Sequence, residues 1–89
     1  MIKYITLLKE FVTQTIPANE FESKFLEMFK NETAPISGRE FQILDKLFGD
    51  VDAYCSEPNL FDPEFDIDEA ELRLSAQKAL DELRELTTV

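Results

Sequence analysis

The sequence contains no histidine and no tryptophan, only one cysteine and two glycines, and few basic residues. The lack of histidine excludes His-based acid–base chemistry, His-activated nucleophiles and His-ligated metal sites. The single cysteine, Cys55, excludes an internal disulfide and a thiolate zinc site, and is typical of a protein from a reducing cytoplasm. We therefore expect neither catalysis nor a cofactor.

The length and the hydrophobic content predict one globular domain over residues 1–89. Hydrophobic residues make up 44 % of the chain, and eight of them are phenylalanines, which is too apolar for a disordered protein. Charged residues interrupt the N-terminal stretch MIKYITLLKEFV, so it does not have the pattern of a signal peptide or a membrane span. We expect a cytoplasmic monomer.

Acidic residues outnumber basic ones by 19 to 9, and the net charge is −10. Residues 1–39 and 72–89 are each electrically balanced, whereas residues 40–71 contain eleven acidic residues and only Lys46 as a base. Such a charge argues against binding to nucleic acid or to an anionic membrane, because both require excess Lys and Arg. The segment forms either a solvated face or a surface for a basic partner.

Apolar residues recur at helical spacing in four segments, at about residues 2–15, 18–31, 38–55 and 69–87. Their predicted buried stripes are Tyr4, Ile5, Leu8, Phe11 and Val12; Phe21, Phe25, Met28 and Phe29; Phe41, Leu44, Leu47, Phe48, Val51, Tyr54 and Cys55; and Leu72, Ala76, Ala79, Leu80, Leu83 and Leu86. No run alternates at period two for long enough to make a sheet. The pattern predicts an all-α protein, an antiparallel four-helix bundle with a long acidic loop between the third and fourth helices.

Local signals mark the helix ends. Pro17 is expected to end the first helix. Ser37 and Glu40 have the spacing of a capping box that opens the third helix, and Asp68 and Glu71 form a similar cap on the fourth.

Twelve residues, 56–67, lack a helix pattern, and ordered loops of that length tend to be functional. Acidic residues alternate with apolar ones in Asp62, Pro63, Glu64, Phe65, Asp66, Ile67 and Asp68. An extended backbone would turn the four carboxylates outward and press Phe65 and Ile67 onto the bundle. Asp45 and Asp52, seven residues apart, share one face of the third helix.

Two motif interpretations fail on residue identity. A calcium loop starting at Asp62 would have Ile67 where glycine is needed and Arg73 where glutamate is needed. Ser37 invites comparison with acyl-carrier proteins, whose phosphopantetheine serine lies in Asp-Ser-Leu. Here the context is Ile36-Ser37-Gly38, and the capping box already explains the serine.

Several short stretches together resemble the colicin D immunity protein family: residues 16–22 (IPANEFE), 47–48 (LF), 51–54 (VDAY), 67–69 (IDE) and 72–73 (LR). The resemblance covers about residues 5–86. It implies a small four-helix bundle from a toxin-producing bacterium that binds the tRNA-cleaving nuclease domain of the toxin. It also implies that the protein occupies the basic cleft of the nuclease in place of the anticodon arm.

The acidic segment and the resemblance together predict a toxin-binding surface. Its candidate residues are Asp45, Asp52, Glu57, Asp62, Glu64, Asp66, Asp68 and Glu69. The predicted function is stoichiometric inhibition of a bacteriocin or contact-dependent-inhibition nuclease, without metal or catalysis. Leu74, opposite the stripe of the fourth helix, is either an exposed apolar anchor or packs under the loop. An acyl-carrier-like protein and a generic acidic interaction module remain the alternatives.

Overall fold

The computed structural model describes residues 2–33, 36, 38–55, 57, 59–64 and 66–87. Four helices follow one another along the chain: α1 (Ile2–Val12), α2 (Ala18–Lys30), α3 (Gly38–Ala53) and α4 (Glu69–Thr87). Helix α4 packs against α1 and α3, and α2 packs against the same two helices from the other side, with a smaller contact to α4. The prediction of an all-α four-helix bundle is confirmed.

Helix α1 ends three residues earlier than its apolar pattern indicates, and Pro17 is not the cause. Gln14 adopts a left-handed backbone with φ 63°. Its N–H donates to the carbonyl of Phe11 (3.0 Å), and the N–H of Thr15 donates to the carbonyl of Glu10 (2.8 Å). These two bonds form the Schellman motif that commonly ends helices, here with glutamine where glycine is usual.

The two predicted caps have different outcomes. At the start of α4, the N–H of Glu71 donates to a carboxylate oxygen of Asp68 at 2.8 Å, so the predicted N-cap is confirmed. At the start of α3, the cap depends on Ser37, which lies outside the described residues. The acyl-carrier alternative depends on the same serine.

Seventeen hydrophobic side chains form one buried core. They are Tyr4, Leu7, Leu8, Phe11, Ile16, Ala18, Phe21, Phe25, Ile43, Leu44, Leu47, Val51, Leu72, Ala76, Ala79, Leu80 and Leu83. The stripe analysis missed Leu7 and Ile43, because α1 and α3 each pack against two neighbouring helices and so bury a wider face than one stripe.

Two residues predicted to be buried are instead exposed. Phe41 remains 47 % exposed, although its ring stacks on Phe29 with the centroids 6.2 Å apart. Leu86, near the end of α4, is 40 % exposed and lies beyond Leu83, the last buried residue of that helix. Both lie near helix ends, where a neighbouring helix no longer covers the apolar face.

Removing core side chains should unfold much of the protein. We expect Phe25→Ala, Leu47→Ala and Leu80→Ala each to lower the free energy of unfolding by about 2–5 kcal/mol, because each leaves a cavity among fully packed neighbours. Thermal melts followed by circular dichroism measure this loss. Phe41→Ala is the control and should cost clearly less than Phe25→Ala. Wild-type melting of all three core variants would contradict the packing.

Candidate functional site

Backbone hydrogen bonds join the two ends of the connection between α3 and α4. Tyr54 and Ile67 form an isolated parallel β-bridge. The N–H of Ile67 donates to the carbonyl of Ala53 (3.1 Å), and the N–H of Cys55 donates to the carbonyl of Ile67 (3.2 Å). Ile67 is half-buried and packs on the core, as predicted, whereas Phe65 lies outside the described residues. The segment between the two ends, residues 57–66, is therefore a closed loop.

The loop is not extended where its acidic residues alternate. The N–H of Asp66 donates to the carbonyl of Asp62 at 2.7 Å, which closes a tight turn. A carboxylate oxygen of Asp66 accepts the N–H of Asp62 (3.0 Å), and a carboxylate oxygen of Asp62 accepts the N–H of Glu64 (3.0 Å). The prediction of an extended backbone is therefore wrong. The carboxylates accept hydrogen bonds from backbone N–H groups of the loop itself, as aspartates commonly do in turns.

The turn divides the loop acids by exposure. Glu57, Asp62 and Glu64 are exposed, whereas Asp66 is half-buried with its carboxylate bonded inside the loop. The Cys55 thiol is also half-buried rather than part of the core, and its Sγ lies 3.5 Å from the carbonyl oxygen of Glu57. The side chains of Glu57, Asp62 and Glu64 thus face solvent, although one carboxylate oxygen of Asp62 is bonded to the N–H of Glu64.

A glutamate from another helix joins this region. Burial raises the pKa of Glu22 on α2, and the nearby charge of Asp52 on α3 raises it further. Asp52 itself is exposed at the end of α3, immediately before the loop begins. Two like charges from different helices therefore lie close enough to interact, and neither carboxylate makes an ion pair within the described part of the chain.

Tyr54 lies between these acids and α4. Burial raises its pKa, the charges of Glu69 and Glu22 raise it further, and Arg73 opposes the shift. A guanidinium nitrogen of Arg73 lies 3.4 Å from the Glu69 carboxylate, and its guanidinium carbon lies 4.9 Å from the centre of the Phe11 ring. The Nε of Arg73 is buried and has no hydrogen-bond partner among the described residues. The positive charge of Arg73 thus offsets part of the negative charge around Tyr54.

We call the following residues the acidic surface: Glu22, Asp52, Glu57, Asp62, Glu64 and Glu69. Of the other predicted site residues, Asp68 caps α4 and Asp66 closes the turn. Asp45 is exposed on α3 two turns before Asp52. Charge counting along the sequence missed Glu22, because it lies in the electrically balanced N-terminal part; the packing of α2 on α3 is what carries it to this surface.

No group of three or more acidic, histidine or cysteine side chains within the described ranges is arranged to hold a metal ion. Among these same residues, no helix combines the length and the hydropathy that crossing a bilayer requires.

The fold and the charge distribution define a small, acidic helical-bundle protein. The family model for bacterial self-protective colicin-like immunity matches residues 1–83, which is nearly the whole chain. The chain therefore belongs to the colicin-like immunity family. A search of the curated proteins and a search of the solved structures each found no match.

The raised pKa of Glu22 predicts that its charge destabilises the free protein. A carboxyl group whose pKa is higher in the folded than in the unfolded state binds its proton more tightly when folded. Its contribution to stability is therefore lost as the pH rises through that window. We expect Glu22→Gln to raise the free energy of unfolding at pH about 7 by less than about 1 kcal/mol, the scale of exposed charge interactions.

The gain should disappear at pH about 3, where glutamate is protonated in both states. Urea unfolding at the two pH values measures this change in the free energy of unfolding. The control is Glu85→Gln, on the exposed face of α4. A Glu22→Gln variant that is less stable than wild type at neutral pH would contradict the repulsion between Glu22 and Asp52.

Proposed function

We propose that this protein neutralises a toxin nuclease that cleaves tRNA, by placing the acidic surface in the basic active-site cleft where the RNA phosphates would lie. Membership of the colicin-like immunity family supports a role in immunity against a bacterial toxin. The stretches that resemble the colicin D type, among them residues 16–22 and 51–54, support the narrower choice of a tRNase. The protein acts as a monomer in the cytoplasm, one copy for each toxin, and catalyses nothing.

The observation that carries this proposal is the approach of Glu22 and Asp52 from two different helices. Burial of Glu22 and the nearby charge of Asp52 both disfavour the ionised carboxylate in the free protein, and this favours a surface that meets cations in a complex. A nuclease cleft supplies Arg and Lys, and pairing with these cations would remove the repulsion on binding. Functional surfaces commonly lower the stability of the protein that bears them.

The spread of the acids supports the same mechanism. Asp52 lies in the last turn of α3, Glu69 begins α4, and Asp62 and Glu64 lie on the loop that joins them. The acidic residues thus come from the end of one helix, the loop and the start of the next helix, and on our proposal they meet successive phosphate positions of the cleft. Charge of one sign over such an area also draws a basic partner in by long-range attraction.

The proposal is tested by removing charge locally while keeping shape. The site variant is Asp52→Asn, Asp62→Asn and Glu64→Gln, all three at exposed positions. The new amide oxygen at position 62 can still accept the N–H of Glu64. If these carboxylates meet cations in the complex, the variant should lose several kcal/mol of binding free energy, because the partner's cations stay buried and unpaired.

The control variant removes the same charge elsewhere: Glu27→Gln, Asp81→Asn and Glu85→Gln, which are exposed on α2 and α4. Inhibition of tRNA cleavage and surface-plasmon-resonance rates are measured against a tRNA-cleaving nuclease domain of the colicin D type, the test toxin. Wild-type association should be fast and should slow steeply with added salt. If the control loses as much inhibition as the site variant, the acids contribute only net charge and the proposed mechanism is wrong.

A further inference from the structure

Among the described residues of the acidic loop, one large apolar side chain is exposed. Leu60 is 74 % exposed, and its N–H donates to the carbonyl of Glu57 at 3.0 Å, which holds it in a turn. The acidic residues nearest along the loop, Glu57 and Asp62, are exposed as well. Leu60 is thus an exposed apolar side chain in a turn that lies between two exposed acidic residues.

The local structure does not call for leucine at this position. Turns favour Gly, Asn, Asp, Ser and Pro, and a leucine side chain contributes nothing to turn geometry. Among the other described apolar side chains of the connection, Phe61 is half-buried and Ile67 packs on the core, whereas the small ring of Pro63 is exposed. The apolar side chain of Leu60 contributes no packing to the free protein and is available to a partner.

Charge alone does not account for a long-lived complex. Exposed ion pairs add little affinity and are screened by salt, so they govern chiefly how fast two proteins meet. The lifetime of a complex depends on a few anchors that bury apolar area in a pocket behind a polar rim. An acidic surface with one projecting leucine has both parts of such an interface.

We infer that Leu60 is the apolar anchor of the toxin complex and inserts into an apolar recess within the basic surface of the nuclease. This inference rests on the proposed function and deepens it: the partner surface is basic at its rim and apolar where the tip of the loop enters. The acidic surface speeds association and pairs with the cations of the cleft, and burial of Leu60 adds an apolar contact that slows dissociation. Leu60 is therefore a determinant of specificity as well as of affinity.

The chain offers a matched control in Leu74. It is 72 % exposed on the face of α4 opposite the core, so it does not pack under the loop. Leu60 and Leu74 thus share residue type and exposure but differ in position. Leu60→Ala and Leu74→Ala should both melt like wild type in circular dichroism, since neither side chain is part of the core.

Binding rates to the purified test toxin are measured by surface plasmon resonance at two salt concentrations. Leu60→Ala should dissociate about 10- to 100-fold faster than wild type, the range for loss of an interface anchor, with little change in association rate or salt dependence. Leu60→Met, which keeps an apolar side chain of similar volume, should restore slow dissociation. Leu74→Ala should match wild type.

The outcomes separate this inference from the proposed function. If wild type binds and the amide variant of Asp52, Asp62 and Glu64 weakens binding, but Leu60→Ala dissociates at the wild-type rate, only the anchor is wrong. An equal acceleration in Leu74→Ala also contradicts the anchor, because general apolar exposure would explain it. If wild type does not bind the toxin, the proposed function fails, and the anchor fails with it.

Discussion

The structure depends on the burial of the apolar stripe of α4 against α1 and α3. Leu72, Leu80 and Leu83 on α4 are almost completely inaccessible to solvent, and they meet Leu8 and Leu44 of the partner helices in one core. This packing sets the distance between the end of α3 and the start of α4. The connection that spans that distance is closed by the bridge between Tyr54 and Ile67, so the position of the acidic surface follows from the core.

The packing of the core also lets the protein hold like charges together. Free carboxylates would move apart, but Glu22 belongs to α2 and Asp52 to α3, and these helices are held together by the contacts of the Phe29 ring with Phe41 and Phe48. Arg73, held by Phe11 and Glu69, offsets part of the repulsion near Tyr54. The core thus supplies the free energy that keeps the charged surface assembled, and on our proposal pairing with the cations of the toxin offsets that cost on binding.

Helical periodicity predicted the four helices, the Asp68 cap and most of the core, because those features depend on short-range spacing. It did not predict the end of α1, since the left-handed Gln14 is a residue that rarely ends helices in this way. The turn at Asp62 was missed because alternation of charge resembles a strand until the side chains bond their own backbone. Glu22 and Leu60 could be recognised only in the structure. The packing of the helices brings Glu22 near Asp52, and the exposure of Leu60 depends on the fold of the loop.

The central claim is that the acidic surface is the face that meets the toxin. Amide hydrogen exchange, measured by mass spectrometry on the free protein and on its complex with the test toxin, tests this claim most directly, because it locates the contact without altering a residue. The account predicts slower exchange in the complex over residues 54–64 and the first turn of α4, with the exposed face of α1 unchanged. Protection confined to α1, with the loop exchanging as in the free protein, would contradict it.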